Sequence, residues 1–126
     1  EAVPVWAETC ERAAFEAVVD EASSTLVKLT QSNTPLFQNK LRALKEKRRW
    51  THDQFLKDGA IFVRDDKISD FDEKSEQLLI KINTQGGGSA NCQVLQELRG
   101  TMRSLVDTQN AKWAYMFDKI DRELAK

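Results

Sequence analysis

In the last third of the chain, Leu98, Met102, Leu105, Gln109, Trp113, Met116, Ile120 and Leu124 follow one another every three or four residues. Only an α-helix brings that spacing onto one face. The segment therefore predicts a long amphipathic helix from about Ala90 to the C-terminus. Gly100 lies inside it and costs about 1 kcal/mol relative to Ala. A packing or bending role would explain its presence.

Three further helices are predicted upstream. The first spans about Val5 to Gln31. Trp6, Cys10, Ala13, Ala17 and Asp20 form one line, and Ala14, Val18, Ala22 and then Leu26 or Val27 form the neighbouring apolar line. Small residues on this face allow another helix to approach closely. Glu8 and Glu11 sit in the early turns, where the helix dipole favours negative charge. QSNTP reads as a stop and restart, with Thr34 as N-cap and Pro35 at the first helical position. The second helix then runs from Pro35 to about Lys57 along Phe37, Leu41, Leu44 and Phe55. Arg48 and Thr51 interrupt that line, so either the helix leaves the core or its face rotates toward Trp50.

KDGAIFVRDDK reads as a helical continuation or a packed connection, with Gly59 able to end the helix. The apolar run Ala60 to Val63 has no partner strand elsewhere in the chain. Ser69-Asp70-Phe71-Asp72 matches a capping pattern, so the third helix runs from about Asp70 to Asn83 with Phe71, Leu78, Leu79 and Ile82 inward. QGGGS at 85–89 is a flexible joint. The expected fold is all-α: a four-helix antiparallel bundle-like single domain over residues 1–126, with one disulfide.

Composition removes several classes of function. A formal net charge of -1 gives no global field for nucleic acid or an anionic membrane. No uninterrupted apolar stretch approaches the length of a transmembrane helix. The chain starts EAVPVWAETC without Met, which fits a processed chain after signal-peptide cleavage or a trimmed expression product. Two cysteines, Cys10 and Cys92, each lie near the start of a predicted helix. In a secreted protein they pair; in the cytosol they would be buried thiols. Paired, they set the first and fourth helices side by side and roughly parallel. Asn33-Thr34-Pro35, Asn83-Thr84-Gln85 and Asn91-Cys92-Gln93 all fail as glycosylation sequons.

Candidate chemistry is sparse. His52 is the single histidine and has no nucleophile pattern or second histidine for a metal site. The acids Asp65, Asp66, Asp70, Asp72 and Glu73 lack the glycine bend and terminal Glu of a calcium loop, and read as helix capping plus solvated surface. GGGS before a helix lacks the lysine and preceding strand of a phosphate loop, although a glycine loop can still bind. No cofactor and no metal are expected. Lys40, Arg42, Lys45, Lys47, Arg48 and Arg49 make the second helix basic, and Trp50 follows. That patch reads either as a contact for an acidic partner or as a face pairing with Glu8, Glu11, Glu16, Asp20 and Glu21 of the first helix. Trp113 and Met116 are expected in the core. Tyr115 and Phe117 cannot both share that stripe, which leaves one of them exposed.

The stretch VPVWAETCERAAFEAVVDEA, through Trp6, Ala7, Cys10 and the helix that follows, resembles the mature N-terminus of the albicin/anophensin-like family of small salivary proteins from anopheline mosquitoes. The resemblance covers about the first 30 residues. It implies a secreted salivary protein that serves blood feeding by binding a host plasma protein complex. The target would be the C3 convertase of the alternative complement pathway, held in an inactive form, or else factors of contact activation and the kallikrein–kinin system. No enzymatic activity, nucleic acid, membrane or metal enters that reading. No family functional residues carry over. The residues themselves nominate Lys45, Lys47, Arg48, Arg49 and Trp50, together with Gly86, Gly87 and Gly88, as contacts. Charge reversal at Arg48 and Arg49 is then expected to weaken target binding. A carrier of a small hydrophobic ligand is the second class and an enzyme a distant third.

Overall fold

The computed structural model describes residues 10–88 and 90–126. They form four α-helices: α1 (Arg12–Arg48), α2 (His52–Asp58), α3 (Asp66–Gly86) and α4 (Cys92–Leu124), with a 3-10 turn at Ala60–Phe62 between α2 and α3. No strand occurs among the described residues. The fold is an all-α bundle built on α4, against which both α1 and α3 pack. None of the helices is long and apolar enough to cross a membrane.

The directions follow from pairs of contacts. Cys10 and Cys92 are disulfide-bonded at one end of α1 and α4, with Cα atoms 4.8 Å apart. At the other end Arg48 meets Glu123 at 2.6 Å. The two long helices are therefore parallel, as the paired cysteines require. α3 runs back between those ends: Asp65 meets Lys119, Asp72 meets Lys112, and Ser75 meets Gln109.

The expected break at QSNTP is absent, because α1 continues through Pro35. Proline removes one helical hydrogen bond and crowds the preceding turn. Pro35 and Gln31, whose carbonyl loses its donor, both face solvent, so the freed carbonyl is not left in a buried setting. Two residues on, Phe37 is buried against α4, and Leu44 is fully buried. Burial of each such side chain is worth roughly 1.5–3 kcal/mol, which offsets the proline. α1 ends instead at Arg49, whose left-handed backbone (φ 54°) turns the chain, with its N–H bonded to Glu46 O and that of Trp50 to Lys45 O. The short α2 starts with a reciprocal capping box between Thr51 and Gln54 and ends at Gly59.

The third helix starts four residues earlier than the Ser69 pattern suggests. Asp65 is its N-cap and accepts from Ile68 N–H at 2.7 Å. Leu79, expected inward, is exposed, while Leu78 packs on the core and Ile82 is buried. Asn91 caps α4 by accepting from Val94 N–H at 2.9 Å. The expected start of the first helix at Val5, with Trp6 and Glu8, lies outside the described residues.

Two buried clusters fill the bundle. Near the disulfide, Phe15, Ala22, Ile82, Leu95, Leu98, Met102 and Leu105 pack together. Toward the other end, Phe37, Leu44, Phe62, Ile68, Met116 and Ile120 form a second cluster, edged by Trp50, Trp113, Tyr115 and Phe117. Between them Gln109 donates to buried Ser75 at 2.8 Å, and Thr108 satisfies its hydroxyl on Ser104 O. Tyr115 and Phe117 are both half-buried, contrary to expectation. α4 has a neighbour on each flank, so Phe117 packs on Phe37 of α1 while Tyr115 packs on Phe71 of α3.

Candidate functional site

The residues nominated from the sequence fall at opposite ends of the molecule. Lys45 to Trp50 lie at the C-terminal end of α1, beside the end of α4. Gly86, Gly87 and Gly88 lie beside the start of α1, since Arg12 donates to Gly86 O at 2.5 Å and Gly88 O at 3.4 Å. The 33 residues of α4 separate the two ends by about 50 Å. They cannot form one site. The glycine turn is also no free joint: two of its carbonyls are occupied by Arg12, and Gly86 belongs to α3.

The basic end is a mixture of engaged and unengaged cations. Its partners are not the acids of the first predicted helix, because that segment and the basic segment are one continuous helix. They come from α4. Lys40 pairs with Asp121 at 2.6 Å, Arg48 pairs with Glu123 at 2.6 Å, and Lys47 donates to Leu124 O and Lys126 O. Hydrogen bonds from Lys126 first, and then from Arg48, hold the Glu123 carboxyl below its usual range. Lys45 lies over the Phe55 ring, 5.3 Å from its centroid. Arg49 and Lys57 are exposed and make no ion pair among the described residues.

Trp50, Ile61 and Phe62 floor an open groove of about 390 Å³ at this end, with Arg48, Lys57, Asp58 and Glu123 on its walls. Around it the capping segment exposes large apolar side chains: Leu56 is 60% exposed, Ile61 53% and Val63 39%. Three of the seven exposed large hydrophobics thus fall within one short segment. Trp50 was legible as a contact from the sequence, whereas Ile61 and Phe62 were not. Their signal was the apolar run Ala60 to Val63, which is a 3-10 turn here, with Phe62 turned inward and Ile61 outward.

Behind this groove lies a polar knot of residues far apart in the sequence. The Asp65 carboxylate receives Lys119 Nζ at 2.7 Å and the Tyr115 hydroxyl, in addition to Ile68 N–H. Burial works against its ionisation. The hydrogen bonds from Lys119, Tyr115 and Ile68 outweigh burial and lower its pKa from 3.8 to about 2. The same bond to Asp65, followed by burial, raises the Tyr115 hydroxyl above its usual range. Lys119 also donates to Ile61 O at 2.6 Å and lies 5.7 Å from the Phe62 ring centroid. The knot therefore fixes the turn that forms the groove floor.

The remaining spaces are open grooves along helix seams. One of about 300 Å³ lies between α1 and α4 beside Val18, Ala22, Met102 and Arg103. Another, of about 550 Å³, adjoins it at Ala13, Ala17 and Glu21. His52 is exposed at the start of α2. Among the described residues no group of three or more His, Cys, Asp or Glu side chains is placed to hold a metal ion. No protein-family model matches the chain, and no curated protein or solved structure matches it.

Proposed function

We propose that the chain is a secreted salivary inhibitor of host defence that acts by stoichiometric docking, without catalysis, and that its target is the C3 convertase of the alternative complement pathway. The target comes from the resemblance carried by Trp6, Ala7, Cys10 and the helix that follows. The Cys10–Cys92 bond fits an oxidising compartment, where such bonds persist. One observation carries the docking reading. The end of the bundle away from the disulfide presents Arg49 and Lys57 without carboxylate partners among the described residues, beside a groove floored by Trp50 and Ile61. Arg and Trp are the residues that most often dominate interface energetics. The seams are open grooves rather than an enclosed chamber, so a carrier of a small hydrophobic ligand gains no support from them.

The test is lysis in human serum under conditions selective for the alternative pathway, with purified disulfide-bonded protein titrated in. Inhibition at sub-micromolar protein is expected, together with binding to assembled convertase. No inhibition removes this target and turns the assay to kaolin-triggered contact activation. Charge reversal belongs at Arg49 rather than Arg48, because a glutamate at 48 would face Glu123 and disturb the fold.

A further inference from the structure

From the groove at the α2 end, we infer that the partner is recognised through a short acidic segment carrying one bulky apolar side chain. The apolar side chain enters between Trp50, Ile61 and Phe62, and the acids meet Arg49 and Lys57. This deepens the docking reading and rests on it.

The first argument is charge. Of the groove-wall ions, Arg48 and Glu123 neutralise each other at 2.6 Å. Lys57 and Asp58 remain and balance each other, and exposed Arg49 stands between the lining residues Arg48 and Trp50 in the chain. Arg49 is therefore the cation that this rim adds to a balanced lining. Asp58, the one unengaged carboxylate on the wall, disfavours an occupant that is uniformly polyanionic and favours one whose acids flank an apolar centre.

The second argument is the apolar floor. A surface serving phosphates or sulfates alone gains nothing from exposing Ile61 and half-burying Trp50. The Asp65–Tyr115–Lys119 knot holds the turn beneath Ile61, so the floor is formed before a partner arrives. Preorganisation of this kind lowers the ordering cost of binding.

The third argument is Arg49 itself. It is the only non-glycine residue with positive φ among the described residues. Glycine is the ordinary occupant of this position after a helix, and other residues there are strained. The fold alone favours glycine, yet an exposed arginine stands here, between the lining residues Arg48 and Trp50 in the chain. A role for its side chain outside the fold accounts for that choice.

The experiment uses the ¹⁵N-labelled, disulfide-bonded protein and an amidated peptide of four glutamates flanking a central phenylalanine. Expected are chemical-shift changes at Arg49, Lys57, Ile61 and the Trp50 indole N–H, with affinity falling as salt rises. Replacing the peptide phenylalanine by alanine should weaken binding at least threefold, and so should the double variant Arg49→Glu, Lys57→Glu. Arg49→Gly should raise the melting temperature while weakening the peptide, which separates the contact from folding. Absence of binding, shifts confined to another face, or equal binding of the alanine peptide overturns the inference. A heparin fragment that matches the peptide at the same residues also overturns it, in favour of simple polyanion binding. The peptide result does not depend on serum. Inhibition of lysis that survives the double variant refutes this surface while sparing the target. Peptide binding without inhibition does the reverse.

Discussion

The two ends of the bundle are held together in different ways. Around the disulfide, α1 and α4 meet through Phe15, Ala22, Leu98, Met102 and Leu105, and the Cys10–Cys92 bond closes the seam. The direct tie from the glycine turn is Arg12 on two carbonyls. At the α2 end no covalent bond exists. The core there is heavier in aromatics, and Lys40–Asp121, Arg48–Glu123 and Lys119–Asp65 surround it. The cross-link acts mainly on the unfolded chain, whereas burial and ion pairs act on the folded one. The contacts that shape the groove end are therefore distinct from the bond that closes the other.

Opening the cross-link gives the largest expected effect. The bond joins residues 82 apart, and in the chain-entropy model such a loop is worth about 4–5 kcal/mol. Cys10→Ser with Cys92→Ser should lower stability by about that amount in urea titrations. Amide exchange should rise first in residues 12–26 and 92–105 and later around Leu44 and Ile120. Exchange rising equally at both ends would break the contrast. Next in size is Ile120→Ala. Ile120 is fully buried, and truncations of this kind cost about 2–5 kcal/mol. Its loss should loosen the α2 end first and weaken groove binding, with the disulfide end still protected from exchange.

The parts of the fold legible in sequence were those set by periodicity. The α4 stripe follows from spacing along a single helix, whereas the cysteine pairing turned on the compartment, and the parallel α1–α4 arrangement follows once Cys10 and Cys92 are bonded. What was not legible depended on residues far apart. Thr34 and Pro35 make a good local helix start, but the buried positions Phe37 and Leu44 carry α1 straight through. Ser69 and Asp65 are both credible caps. Asp65 prevails because its carboxylate also takes Tyr115 and Lys119, which are 50 and 54 residues away. The basic patch was legible as a patch, but its partners were not, since they depend on how α1 and α4 align. That alignment leaves Arg49, and not Arg48, for a partner.

Asp65 supplies a smaller test of the α2 end. Its pKa is lowered in the folded protein, so its contribution is complete above the unfolded value near 3.8 and is lost as pH falls toward about 2. The shift corresponds to roughly 2 kcal/mol. Asp65→Asn keeps a competent N-cap but removes the charge facing Lys119. The variant should be less stable by roughly 2 kcal/mol at pH 7, and its urea midpoint should converge with that of the parent protein near pH 2. Parallel pH curves would mean that the knot holds the turn by shape and not by charge.

Gly100 gives the smallest effect and puts the question to the disulfide end. It lies within α4, is exposed, and a Cβ placed there meets nothing within 4 Å. Among the described residues, then, nothing packs against it that would account for a glycine. Gly100→Ala should stabilise the protein by about 1 kcal/mol through helix propensity. The gain should appear as a higher urea midpoint with an unchanged slope. In the Cys10→Ser, Cys92→Ser background the gain should recur within about 0.5 kcal/mol, because Gly100 touches neither cysteine. A much larger gain there would mean that the cross-link compensates for a weak helix. Serum inhibition should be the same for Gly100→Ala as for the parent protein if only the α2 end meets the target. Loss of inhibition in a more stable protein would place a functional demand on the α1–α4 seam as well, and the two ends would then differ in how they are held but not in whether they are used.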